Sequence, residues 1–210
     1  MLIDMILSII ENEFCKQYLK AIKNTLNMCL SLVSDMLDLK MIKECQFVPN
    51  NIVFNPVETI KFIFQIFETQ IGGRNIELQL ETSDMMDIEM IEGDENRLKQ
   101  VLVNLIKNAI KFTRKGYIRV VLGFDETLGQ LLVEVSDTGK GIKAEEIPLL
   151  CEKFGKLFRT AEMNSEGIGF GLMISKAIIE SNGGLLHIKS DGIDKGSVFG
   201  FSMKMVVLEE

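Results

Sequence analysis

Residues 94–113 read Asp-Glu-Asn-Arg-Leu-Lys-Gln-Val-Leu-Val-Asn-Leu-Ile-Lys-Asn-Ala-Ile-Lys-Phe-Thr. Leu98, Val101, Leu102, Leu105, Ile106 and Ala109 recur at spacings of mostly three and four, which is one face of an α-helix. Asn104, Asn108 and Lys111 recur at the same spacing and share a second, polar face. The apolar stripe makes this helix a core element. The polar stripe suits a phosphate-rich ligand, since an Asn oxygen can hold a Mg²⁺ that keeps waters and phosphate oxygens. A Lys meets phosphate as a point charge. A solvated helix face has the same composition, so the stretch fixes a helix and leaves its chemistry open.

On the N-terminal side, Pro56 opens a helix expected over 56–70, stopped by Gly72-Gly73, and short strands are expected at 76–80 and 88–91. On the C-terminal side, alternating apolar residues predict strands at 117–124 and 131–136, paired as a hairpin. A helix over 171–181 and closing strands at 185–190 and 197–207 complete the pattern. Helices laid on one face of a mostly antiparallel sheet define the expected fold class, α+β with a two-layer α/β sandwich.

Before Pro49-Asn50-Asn51 the pattern changes. Cys15, Leu19, Ile22, Leu26, Cys29, Val33 and Met36 alternate at four and three, a heptad seam that predicts packing against another helix. Leu30 and Leu37 widen that face toward a bundle. Residues 2–10 read as the end of a preceding helix, with Glu11-Asn12-Glu13 as the connection. The chain thus divides into a helical hairpin over 1–46 and a mixed domain over 47–210, and the hairpin predicts a homodimer.

Composition narrows the function. A net charge of −7 argues against nucleic acid as the main partner. The 4 cysteines form no C-x-x-C pair and the chain has 1 histidine, so a structural zinc site is not expected. The apolar start, residues 1–10, lacks a basic region and a cleavage site, and no uncharged stretch reaches membrane-spanning length. The expectation is a soluble, cytoplasmic chain with no membrane contact of its own, although a longer parent protein could be anchored in a membrane.

Two further segments carry chemistry. Asp137-Thr138-Gly139-Lys140-Gly141-Ile142 sets a carboxylate at a strand end before two glycines that let backbone approach a ligand. Asp137 can accept from an exocyclic amine such as that of adenine; a plain strand-ending turn has the same residues. An aspartic protease would need paired carboxylates, and only one Asp-Thr-Gly is present. Gly167-Ile168-Gly169-Phe170-Gly171-Leu172 leads straight into a helix, where exposed N–H groups favour an anion. The dinucleotide fingerprint, the P-loop and the protein-kinase motifs are all absent.

In that order, the Asn104/Asn108 helix, Asp137-Thr-Gly-Lys-Gly141, a Phe-containing segment and Gly167-x-Gly-x-Gly171 resemble the N, G1, F and G2 boxes of sensor histidine kinases. Type II topoisomerase and mismatch-repair ATPases are their wider relatives. The resemblance runs from about 47 to 207, with 35–42 similar to the end of the family's dimerisation hairpin. It implies an ATP and Mg²⁺ site. Asn108 would bind Mg²⁺, with Asn104 supporting it or the phosphates; Lys111 would meet phosphate and Phe112 would lie against adenine. Asp137 would accept from the adenine amine, Gly139 and Gly141 would shape the pocket, and Ile142 and Leu172 would complete it. Gly167, Gly169 and Gly171 would hinge and line a phosphate lid, with Phe154 as the F-box aromatic.

Three departures stand out. Cys151 replaces a common F-box Phe, Phe170 replaces a G2 Leu, and the family's phosphoacceptor histidine segment is missing. His187, the lone histidine, sits in a strand pattern. The resemblance therefore implies histidine kinase chemistry with the acceptor absent from this chain, and a receiver domain as partner of the intact kinase. In the hydrolysing relatives a Glu that activates water stands at position 104; an Asn cannot act as that base. A GHKL-type ATPase and a non-catalytic ATP-binding or dimerisation module are the alternatives.

Overall fold

The computed structural model describes residues 49–83, 90–151 and 170–208, together with 14–16, 18, 19, 22, 26 and 33, which are helical. The expected helical connection at 11–13 and residues 35–42 lie outside the described residues.

The larger sheet has five strands in the order β2 (Ile76–Thr82), β4 (Gly116–Asp125), β5 (Gln130–Asp137), β7 (Ser197–Lys204) and β6 (Leu186–Lys189). Only β2–β4 is parallel; the other neighbours are antiparallel. Three helices, α1 (Pro56–Ile71), α2 (Glu95–Phe112) and α3 (Phe170–Ser181), form the second layer. Helix α1 packs on β2, α2 on β4 and β5, and α3 on β6 and β7.

Strand alternation decides what lies between the layers. Ile118, Val120 and Leu122 of β4, Leu131, Val133 and Val135 of β5, and Phe201 and Met203 of β7 all point toward the helices and are buried. The α2 stripe read from the sequence meets them: Leu98, Val101, Leu102, Leu105, Ile106 and Ala109 are buried, and Ile110 joins them. Each fully buried aliphatic side chain contributes about 1.5–3 kcal/mol, so this central helix anchors the layer.

Caps fix the helix starts. Asn55 accepts from the Val57 and Glu58 N–H groups ahead of Pro56. Asp94 accepts from Arg97 N–H at 3.1 Å and from Asn50 N–H at 3.0 Å, so the cap of α2 also pins the entry to the domain. Glu95 receives Thr59 Oγ1 at 2.7 Å and pairs with Lys99 at 2.8 Å, tying α1 to α2. Partial burial pushes the Glu95 carboxyl up, but the Lys99 and Thr59 contacts outweigh it and hold its pKa below the usual range.

Two expectations need correction. Residues 197–207 do not form one strand. Met205 breaks it, donating its N–H to Gly129 O at 3.0 Å and laying its side chain where a Gly93 side chain would be. Beyond it, β8 (Val206–Val207) joins a separate three-stranded sheet with β1 (Ile52–Phe54) and β3 (Ile91–Gly93). Of the strand expected at 88–91, residues 88 and 89 lie outside the described residues, Met90 is not in a strand, and Ile91 begins the strand Ile91–Gly93.

Candidate nucleotide site

The inward row of β5 runs Val133, Val135, Asp137, so alternation delivers a carboxylate where a core residue would otherwise stand. Its cross-strand partner on β7 is Ser197, also inward and buried. Ser197 Oγ donates to Asp137 Oδ2 at 2.5 Å, and Gly139 N–H donates to Oδ1 at 2.7 Å. Asp137 is 8% exposed. Burial pushes its pKa up, against the hydrogen bonds from Ser197 and Gly139 and the nearby Thr113 hydroxyl, which pull it down.

Thr113 closes α2 just above this carboxylate. Its hydroxyl lies near Asp137 and is the one buried side-chain polar atom without a hydrogen-bond partner among the described residues. Asp137 and Thr113 thus set a carboxylate with lone pairs to spare beside a hydroxyl with a proton to give. That donor–acceptor pair suits the edge of a nucleobase carrying an amine.

The loop after Asp137 is held on both sides. Lys140 N–H donates to Phe112 O at 3.2 Å, at the end of α2. Gly196 N–H donates to Gly139 O at 3.1 Å, and Ile142 N–H to Ser190 Oγ at 2.9 Å. Gly141 has φ 67°, and a Cβ there would strike the Gly192 carbonyl. Only glycine meets both conditions. A Cβ at Gly139 would press on Asp137 and on the Phe112 backbone. Ile142 is buried.

The polar stripe of α2 leads away from that pocket. Phe112 is half-buried, with the Lys111 ammonium 5.6 Å from its ring centroid. Asn108 is half-buried and its amide has no hydrogen-bond partner among the described residues. Asn104 differs: its Nδ2 donates to Ser175 Oγ of α3 at 2.8 Å. Leu172, next to Gly171 on α3, is buried. Asp137, Gly139, Gly141, Ile142, Phe112 and Lys111 gather at the C-terminal end of α2, while Asn104, Gly171 and Leu172 meet where α2 faces α3. Phe154, Gly167, Gly169 and the side chains of Cys151 and Phe170 lie outside what the structure describes. Ser197, Thr113 and Ser175 were assigned no role from the sequence. The adjacency of Ser197 to Gly196 at the head of a strand was the available signal for the first; nothing local marks the other two.

His187 stands apart. It is on β6, opposite Gly200 of β7, on the sheet face turned away from the helices. Because Gly200 has no side chain, the imidazole lies across it and places Nε2 3.4 Å from Glu134 Oε1 of β5.

These features define an ATP-binding fold without a P-loop, and the chain belongs to the histidine kinase-, DNA gyrase B- and HSP90-like ATPase family, whose sequence model matches residues 93–207. It is 32% identical over 198 residues to the sensory/regulatory protein RpfC of Xanthomonas campestris, covering 92% of this chain and 27% of that protein. The chain thus spans about a quarter of the length of that curated relative. The structure of full-length ShkA in complex with AMPPNP superposes with a TM-score of 0.78 at 22% identity, over 93% of this chain and 40% of that one. Histidine kinase ThkA, solved in complex with the response regulator protein TrrA, gives 0.66 at 27% identity, over 93% and 53%.

Proposed function

We propose that this chain is the ATP-binding catalytic core of a sensor histidine kinase, presenting the γ-phosphate of ATP to a histidine on another segment or molecule. The observation that carries this reading is the buried Asp137 on the inward row of β5, oriented by Ser197 and Gly139 beside the unpartnered Thr113 hydroxyl. A carboxylate costs free energy at such a position, which a donor on a bound adenine would offset.

From that anchor the nucleotide would run along the polar stripe. Phe112 would flank the base, Lys111 would meet phosphate, and Asn108 would offer its amide oxygen to a Mg²⁺ that would neutralise phosphate charge. The free Asn108 amide fits such an ion. Among the described residues no three of His, Cys, Asp and Glu converge as a metal cage, so the ion would arrive with the phosphates. Gly139 and Gly141 would shape the base pocket. Gly167, Gly169, Gly171, Leu172, Ile142 and Phe154 complete the expected set. Transfer to an imidazole nitrogen breaks the γ-phosphorus bond to the bridging oxygen in line, and releases ADP.

Residues 1–46 would supply part of a dimerising hairpin and 47–210 the catalytic domain. Phe14, Tyr18, Ile22, Leu26 and Val33 are exposed apolar residues on helical backbone, consistent with a homodimer through these helices. A receiver domain would be the next partner, as a response regulator is for ThkA. No helix among the described residues is long and apolar enough to cross a membrane; we place the chain in the cytoplasm, where ATP is supplied.

Calorimetric titration with Mg²⁺ and AMP-PNP tests this reading. Micromolar binding, about −8 kcal/mol, is expected for the wild type, weakened at least about 30-fold in Asp137→Ala through loss of a charged, buried hydrogen bond worth roughly 2–3 kcal/mol. A folded wild-type sample that binds no nucleotide would sink it.

A further inference from the structure

Ser175 occupies a core position of α3 at 2% exposure, among Leu172, Ile174, Ile178 and Ile179. A hydroxyl there is costly unless it is hydrogen bonded, and its partner is the Asn104 amide at 2.8 Å. One turn earlier on α3, Gly171 faces the same amide: a Cβ at Gly171 would coincide with Asn104 Oδ1. The Asn104 side chain therefore spans one turn of α3, its oxygen over Gly171 and its nitrogen on Ser175. Asn108 follows one turn along α2, with its own amide unpartnered.

We propose that Ser175 is a positioning residue for the phosphate end of the site, acting through Asn104. Accepting the hydrogen bond turns the Asn104 nitrogen into the protein and its oxygen against Gly171. The amide is thus committed to the helix junction, and Asn108 is left as the amide that meets the cation. The same bond fixes the first turn of α3 beside the polar stripe of α2. Gly171 has its place because any side chain there would displace Asn104.

This inference rests on the nucleotide reading, and its test separates the two. The full chain is titrated with Mg²⁺ and AMP-PNP, and separately with adenosine, which reaches only the pocket around Asp137. Ser175→Ala is expected to weaken AMP-PNP about tenfold and leave adenosine unchanged. Asn104→Ala should give the same selective loss, and the double variant no more than either single one. If Asn104→Ala weakens AMP-PNP while Ser175→Ala does not, Asn104 contacts phosphate directly and the proposal is overturned. An equal loss for both ligands in Ser175→Ala overturns it too, by showing a merely structural role. Should Ser175→Ala fail to fold, Ser175→Cys keeps the size with a weaker acceptor and must show the selective loss. Wild-type chain that binds neither ligand would remove the nucleotide reading itself.

Discussion

The two ends of α2 are built differently. At its C-terminal end the proposed base site is tied by hydrogen bonds: Asp137 has one on each oxygen, and the loop behind it is laced to Phe112, Ser190 and Gly196. Along its polar face, Asn108 extends an amide with no partner. One region has its shape before a ligand arrives, whereas the other has donors and acceptors that a ligand would organise. Affinity for the base should therefore depend on residues of the sheet, and affinity for the phosphates on residues of the helix and on Mg²⁺.

The largest effect would come from breaking what the two ends share. Leu102 is fully buried in the middle of α2. Leu102→Ala should cost about 3 kcal/mol of stability through lost burial and a cavity, read by denaturant unfolding. Both ligands should weaken together if the shift in α2 is transmitted to each end. A variant that lost AMP-PNP binding alone would show the ends to be less rigidly joined than this.

A smaller change sharpens the contrast. Asn108→Ala should reduce AMP-PNP affinity about tenfold (roughly 1.4 kcal/mol) with Mg²⁺ present, and barely at all when Mg²⁺ is replaced by a chelator. Adenosine binding should not change. An equal loss with and without the ion would mean that Asn108 touches the nucleotide and not the metal.

The smallest effect concerns pH. Burial raises the Asp137 pKa in the folded chain above its ordinary value of 3.8. The folded state therefore holds this proton more tightly than the unfolded state, and stability should fall as pH rises from 3.8 through the raised value, then level off. Asp137→Asn keeps the shape and removes that fall. Ligand-free Asp137→Asn should melt slightly higher than wild type above the window, although it no longer offers the base a carboxylate. A melting difference that ran the other way with pH would show that the hydrogen bonds outweigh burial.

Much of this arrangement was legible in the chain. Helix α2, its buried stripe, the β4–β5 hairpin and Asp137 at a strand end follow from periods of 3.6 and 2 in side chains that touch the core. The small sheet was not legible, because β1 and β3 have three residues each and β8 two, too few for a period to emerge. The break at Met205 depends on Gly93 and Gly129, distant positions that leave no local mark in an apolar run. Ser197 and Thr113 each read as ordinary capping or strand residues until register and helix end bring them to one carboxylate. Ser175 shows the same limit from inside a helix: its importance lies in a partner 71 residues away.

His187 has a practical consequence. The one imidazole in the 210 residues sits on the far side of a five-stranded sheet from Asp137, reaching over Gly200 toward Glu134. With adenine at Asp137 as proposed, the sheet would stand between the nucleotide and this imidazole of the same chain. Used as a reagent, a His187→Gln form of this polypeptide would carry no imidazole of its own, so every labelled imidazole in a mixed reaction would report on the acceptor supplied with it.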